Sequence, residues 1–295
     1  MSEPRHAAPL PLGGDGLPYS KGLMARALIA VGVSADRAYE LARRIELDLA
    51  ERGVHEVDED RLEELARATL GDDEGARAAD RLRRLHKLQS LDVPLIVLIG
   101  GATGTGKSTV AAEIAHRLGI TRLTSADFIR QTMRAFFSSE FMPAIHTSSF
   151  EAGTVVEPDA TGDPTLTGFL EQSRQVCVGV DAALRRALTE GWSMVLEGVH
   201  LVPGYVPATI DGAVVVHAVM SISDEDVHRV HFHVRDTATG GLRPMDKYLD
   251  RLADIRRIQT LLVSRASREG VPVVENANVE RAIDEMVSLV LDAAG

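Results

Sequence analysis

Two periods of apolar residues divide the chain. From Ser20 the pattern repeats at helical spacing: Leu23, Ala27, Leu28 and Val31 share a face, and Gly32 ends the run. Ser34 is read as the cap of a second helix through Glu51, with Ala38, Leu41, Ile45 and Leu49 inward and Gly53 as its stop. Asp58 opens a third helix carrying Leu62, Leu65 and Leu70, and 72–91 reads as a fourth. From Pro94 the period switches to strands alternating with helices, the signature of a parallel sheet with flanking helices. Five strands are predicted at 95–99, 121–124, 193–196, 214–220 and 271–274, with long helices at 166–188, 247–267 and 279–291. The expected fold class is α/β: a parallel five-stranded sheet flanked by helices, preceded by a small all-α N-terminal module. Residues 1–18, rich in Pro and Gly and without periodicity, read as a flexible arm; 19–90 form the helical module and 91–295 the sheet-bearing domain.

Between the first strand and its helix stands Gly101-Ala102-Thr103-Gly104-Thr105-Gly106-Lys107-Ser108, separated from the strand only by Gly100. A strand that enters a glycine-rich turn and leaves as a helix can wrap backbone N–H groups around a polyphosphate. The helix then aims its positive end at the same anion. Lys107 can reach the β- and γ-phosphate oxygens and the Ser108 hydroxyl can ligate Mg²⁺. Gly101 through Ser108, with Thr109, are therefore the candidate nucleotide-binding residues, and the ligand is a nucleoside triphosphate.

Ligands of such sheets gather beyond the carboxyl ends of the strands, so the loops there hold the remaining candidates. After the second strand, Asp127 is placed to accept the proton of an attacking hydroxyl. Arg130 and Arg134, spaced i and i+4, share a face on which an anionic acceptor can be gripped. After the third strand, Glu197 occupies the usual place of a Mg²⁺-water ligand, and His200 is a candidate for the substrate site. After the fourth, Ser223 is read as the cap of a helix carrying His228, Arg229, His231, His233 and Arg235. On a helix, His228, His231 and Arg235 share a face, and a cation within that set argues against zinc. The expected role is a mobile lid: Arg229, Arg235 and Arg243 bracket Gly240 and Gly241, so closure brings Arg235 onto the transferring phosphoryl group. The hydroxyls and imidazole of His146–Phe150 suit either a phosphate guest or an ordinary exposed loop.

Charge narrows the partners. The balance is −11, from 32 basic and 43 acidic residues. That is a poor match to nucleic acid or an anionic membrane, so local arginines point to a small anionic substrate. The single cysteine, Cys177, leaves no internal disulfide and suits a reducing cytoplasm. No stretch reaches a membrane span, and the N-terminus lacks a secretory apolar region. An apolar helical module beside the sheet is compatible with a homodimer.

Taken together, the P-loop, Ser125–Arg130, Leu196–His200, His231–Arg235, Lys247-Tyr248, Ile255–Gln259 and Val271–Asn276 resemble the 2-phosphoglycerate kinase family. Upstream, Tyr19–Arg26 and Ala38–Arg43 are similar to the helical part of an ATP-cone, a nucleotide-sensing module, although the basic strand segment that usually opens one is missing. The resemblance makes 91–295 a P-loop kinase domain and implies ATP-dependent phosphorylation of the 3-hydroxyl of 2-phosphoglycerate to give 2,3-bisphosphoglycerate. It also implies Asn276 near the adenine ring. An acceptor with phosphate and carboxylate groups needs arginines, and Arg130, Arg134, Arg235, Arg256 and Arg257 are available. A P-loop kinase for another small hydroxylated substrate, as in zeta-toxin-like relatives, or a nucleotide-responsive regulator with little turnover, are the alternatives.

Overall fold

The computed structural model of the chain describes residues 19–156, 162–238 and 245–293, without the side chains of 235–238. The expected arm at 1–18, and Gly240, Gly241 and Arg243 of the expected lid, lie outside the described residues, as does the Arg235 side chain. The chain divides into two compact units: Met1–Val93 with His116–Gly119 and Val287–Gly295, and Pro94–Ala115 with Ile120–Met286.

The first unit is built on α1 (Lys21–Ala30), α2 (Ala35–Arg52), α3 (Glu59–Leu70) and α4 (Asp72–Ser90). Met24, Leu28, Leu41, Ile45, Leu62 and Leu82 are fully buried, which matches the helical spacing of the apolar positions. Ser20 and Asp58 cap α1 and α3 through their side chains. Ser34 does not: its side chain makes no capping bond, and only its carbonyl engages the helix, accepting from Ala38 N. Asp48, buried on α2, is paired with Arg61 of α3 and with Arg52. A carboxylate left there without those partners would destabilise the unit strongly.

The second unit runs β1 (Leu95–Gly101), α5 (Lys107–Arg117), β2 (Leu123–Ser125), α6 (Ala126–Arg134), α7 (Pro164–Thr189), β3 (Met194–Glu197), β4 (Val214–Ser221), α8 (Glu225–Ala238), α9 (Met245–Leu249), α10 (Leu252–Glu269), β5 (Val273–Glu275) and α11 (Val279–Asp292). Short 3-10 turns lie at Pro143–His146 and Ala152–Thr154. All strand pairs are parallel, in the order β2-β3-β1-β4-β5. The expected α/β class with a five-stranded parallel sheet is what forms. Every residue of β1 is buried, as a central strand covered on both faces requires. Ile96 and Leu98 pack with Val176, Val180 and Leu184 of α7; on the other face Val219 packs with Ile255, Ile258 and Leu262 of α10.

One element differs from its expected form. The helix expected over 247–267 is two, because the backbone breaks at Asp250 and Arg251, where Arg251 leaves helical geometry at φ −112° and ψ 13°. Tyr248 then stacks on Phe232 while Leu252, Ile255 and Ile258 turn into the core. Register decides what meets at the carboxyl edge: Glu197 lies opposite Ile99 on one side and Ser125 on the other. The ends of β1, β2 and β3 thus deliver the P-loop, Asp127 and Glu197 to one place.

Candidate active site

At the end of β1 the chain turns through the P-loop into α5. Lys107 is almost wholly buried, and its Nζ donates to Ala102 O at 2.7 Å. Burial lowers its pKa, and the carboxylates of Glu197 and Asp127 oppose that shift by favouring the cation. Ser108 Oγ donates to Glu197 Oε1 at 3.0 Å. A cavity of about 400 Å³ opens here, lined by Ser108, Leu123, Thr124, Ser125, Phe128 and Glu197. Its oxygen donors fit Mg²⁺, which commonly takes one or two protein oxygens and fills its octahedron with phosphate and water. Among the described residues no cluster of three or more His, Cys, Asp or Glu side chains is arranged to hold a metal by itself.

Asp127 stands in the first turn of α6. Ser125 caps α6 by accepting from Phe128 N at 3.1 Å, which leaves Asp127 uncommitted to the cap. The turn after Glu197 packs directly on this helix start: a Cβ on Gly198 would lie 2.5 Å from Ala126 Cβ. The Asp127 side chain is 63% accessible. Desolvation works to raise its pKa, but His200, Arg130 and Lys107 outweigh it, so the carboxyl stays below its usual range and ionised.

Behind this carboxylate lies a buried polar network. Arg130 donates to Ile145 O at 2.8 Å and Thr147 O at 3.0 Å, and lies 3.4 Å from Asp127 Oδ1. Gln172, fully buried on α7, donates to Ala144 O at 2.6 Å and Thr147 O at 3.1 Å. Its Oε1 is 2.8 Å from His200 Nε2. With the Gln172 amide committed as donor, Oε1 must accept, so His200 carries its proton on Nε2. Arg130 and His200, the candidates for the substrate site, are both enclosed, Arg130 against Asp127 and the 144–147 turn and His200 against Gln172. Gln172 gave no signal in the sequence, where it reads as one more polar residue in a helix.

The other candidate side chains also meet partners within the protein. Arg134 does not share a task with Arg130: it is exposed, and its Nη1 donates to Gln131 at 2.9 Å. Arg256 donates to Ser223 O at 2.8 Å and Ile222 O at 3.3 Å and faces Glu225. Arg257 points to Asp254 and Asp163. Adjacent helical residues face different ways, so these two cannot converge on one anion. Asn276 donates to Thr105 O at 2.9 Å and braces the P-loop from within the core. Asp224, not Ser223, caps α8, accepting from Asp226 N and Val227 N. Ser223 instead donates to Glu275 through its N–H and hydroxyl.

Burial draws His200, His217 and His228 down from 6.5 to about 4. Between those values the unfolded chain binds more protons than the folded one, so acid favours unfolding. Their stabilisation is complete above pH 6.5 and is lost as pH falls towards 4, with a slope of about 1.4 kcal/mol per pH unit for each histidine where the difference is full. Urea unfolding at pH 7, 6 and 5 should show this decline, and His217→Gln should flatten it. Equal stability at pH 7 and 5 would refute the assignment.

Among the described residues no helix is long and apolar enough to cross a membrane. No protein-family model matches the chain. Individual curated proteins do. The chain is 38% identical over 273 residues to the 2-phosphoglycerate kinase of Methanothermobacter thermautotrophicus, covering 92% of this chain and 89% of that protein. It is 36% identical over 275 residues to the 2-phosphoglycerate kinase of Methanopyrus kandleri, with coverage of 93% and 84%. The 2-phosphoglycerate kinase of Thermococcus kodakarensis is 37% identical over 272 residues, with 92% of each chain covered. Alignments covering 92–93% of the chain include residues of the helical unit as well as the sheet that carries the P-loop. The chain belongs to the 2-phosphoglycerate kinase family.

Proposed function

We propose that this protein transfers the γ-phosphoryl group of ATP to the 3-hydroxyl of 2-phosphoglycerate, giving 2,3-bisphosphoglycerate and ADP. The observation that carries the reading is that Ser108 and Glu197 meet at a cavity beside the P-loop, with the carboxylates of Glu197 and Asp127 close enough to act on Lys107. Gly101 to Thr109 hold the triphosphate, with Lys107 neutralising the oxygens on which charge develops. Ser108 Oγ and Glu197, directly or through water, are the groups that would hold Mg²⁺, which when bound supplies further charge neutralisation at the phosphates. Asp127 accepts the proton of the 3-hydroxyl as its oxygen bonds to the γ-phosphorus. The bond from that phosphorus to ADP breaks, and its electron pair leaves on ADP. The low pKa of Asp127 suits this role, since in a loose transition state the base orients the hydroxyl and takes its proton late.

Arg134 is the exposed arginine of α6 that would meet the acceptor's anionic groups. The same proposal includes the division into an arm at 1–18, an ATP-cone-like module at 19–90 and a kinase domain at 91–295, together with a cytoplasmic setting and a homodimer. The relatives do not favour a kinase for another hydroxylated substrate or a regulator with little turnover.

ATP consumption with Mg²⁺ should be measured with 2-phosphoglycerate, 3-phosphoglycerate, glycerate and no acceptor. Turnover is expected with 2-phosphoglycerate alone. Turnover with glycerate but not 2-phosphoglycerate would overturn the acceptor assignment. Unchanged activity of a dialysed sample under excess chelator would overturn the metal assignment.

A further inference from the structure

Four successive carbonyls of the P-loop each accept a side-chain hydrogen bond. Ala102 O accepts from Thr105 Oγ1 at 2.9 Å and Lys107 Nζ at 2.7 Å. Thr103 O lies 2.9 Å from His228 Nε2, Gly104 O lies 3.1 Å from His231 Nδ1, and Thr105 O accepts from Asn276 Nδ2 at 2.9 Å. A carbonyl can only accept, so each imidazole nitrogen facing one carries the proton. The last three donors belong to α8 and to the turn after β5, far from the loop in sequence and within the same compact unit.

The contact is close. A Cβ on Gly104 would lie 2.5 Å from the Phe232 ring, and one on Gly106 would lie 2.2 Å from Asn276 Nδ2. Both glycines have left-handed backbone, at φ 85° and 81°. Phe232 is itself clasped, stacked on His228 with centroids 5.1 Å apart and on Tyr248 at 5.2 Å. Sliding α8 along the loop would break this column as well as two hydrogen bonds.

Peptide planarity turns these bonds into a statement about phosphate binding. In a trans peptide the C=O of one residue and the N–H of the next point in opposite directions. The Thr105 N–H is taken by Ala102 O at 3.4 Å, and holding the carbonyls of Thr103 and Thr105 against the protein aims the N–H groups of Gly104 and Gly106 the other way. Those N–H groups form the concave nest that takes an anion. A glycine-rich loop without these ties samples orientations that present carbonyl oxygens to the phosphates instead.

We infer that His228, His231 and Asn276 are positioning residues that preorganise the phosphate nest, so that α8 and the β5 turn set the affinity for ATP from the outer side of the loop. They touch the P-loop carbonyls and act on the nucleotide only through the backbone. The inference rests on the nucleotide-binding reading of the P-loop and is independent of the acceptor's identity.

The test is calorimetric titration of the full chain with ATP and Mg²⁺, without acceptor. His228→Ala is expected to weaken ATP binding about ten-fold, the upper range for one lost hydrogen bond. His228→Gln, whose side-chain amide keeps a donor, should recover most of that loss. In turnover assays the KM for ATP should rise while the KM for the acceptor changes less than about two-fold. His231→Ala, at a half-buried position, gives the same test should His228→Ala fail to fold. Unchanged ATP affinity in the folded alanine variants would overturn the inference, as would equal losses in His228→Ala and His228→Gln. Failure of the unsubstituted protein to bind ATP would instead overturn the nucleotide-binding reading itself.

Discussion

Lys107→Ala is expected to lower kcat/KM on the order of a thousand-fold, because it removes the one cation built into the P-loop from a site where charge develops on phosphate oxygens. The size follows from the setting. Lys107 is almost completely withdrawn from water, so its charge acts at short range through a medium that screens poorly. Burial lowers its pKa, and Glu197 and Asp127 oppose that shift by favouring the cation. Its loss leaves those two carboxylates facing the phosphates without compensation, adding repulsion to the missing attraction. The relief runs both ways: Lys107 is among the charges that lower the Asp127 pKa, so the variant should also shift the acid limb of any remaining activity upward. Lys107→Met, which keeps the aliphatic stem and therefore the packing, should fall by a similar factor. Retention of a tenth or more of the activity in either variant would contradict the role given to this ammonium.

Asp127→Asn is expected to cut kcat by about 10²–10⁴-fold, the usual contribution of a positioned general base. ATP affinity should stay within about two-fold, since the amide is nearly isosteric and the P-loop bonds do not involve it. The contrast separates a base from a residue that merely shapes the pocket. Asp127 is held by Arg130, whose guanidinium is anchored on the carbonyls of Ile145 and Thr147, and by the close packing of Gly198 on Ala126. That support makes its placement a property of the scaffold, so lengthening it to glutamate should not restore the rate. Nearly full turnover in Asp127→Asn would remove it as the base and leave Glu197 as the carboxylate to examine.

The positions of the two residues behind these predictions were both legible in the sequence, and for a local reason. A strand, a glycine-rich turn and a helix are contiguous, and their periodicity and turn chemistry can be read within a short window. In a parallel α/β sheet, contiguity also fixes location, because every strand delivers its following loop to the same edge. Asp127 and Glu197 could therefore be assigned beside the P-loop without knowing the strand order. The order itself places β3 between β2 and β1, which brings Ser125, Glu197 and Ile99 into one row.

What the sequence could not disclose is where long side chains spend their hydrogen bonds. Arg130, Arg256 and Arg257 read as anion binders because arginine serves that purpose in general. In the fold their guanidinium groups go to carbonyls and carboxylates that adjoin them only after folding. His200 reads as a substrate-site residue from its place after β3, yet α7 covers it and Gln172 sets its tautomer. Asn276, implied near the adenine, and the histidines of α8 turn out to tie down the P-loop across separations of more than a hundred residues. The sequence alone determined the α/β class, the glycine-rich loop after β1 and the carboxylates that fall beside it, since each depends on neighbours along the chain. The tertiary structure alone decided which guanidinium groups are spent on backbone carbonyls and which side chains hold the P-loop carbonyls, since a buried donor takes whichever acceptor folding brings within reach.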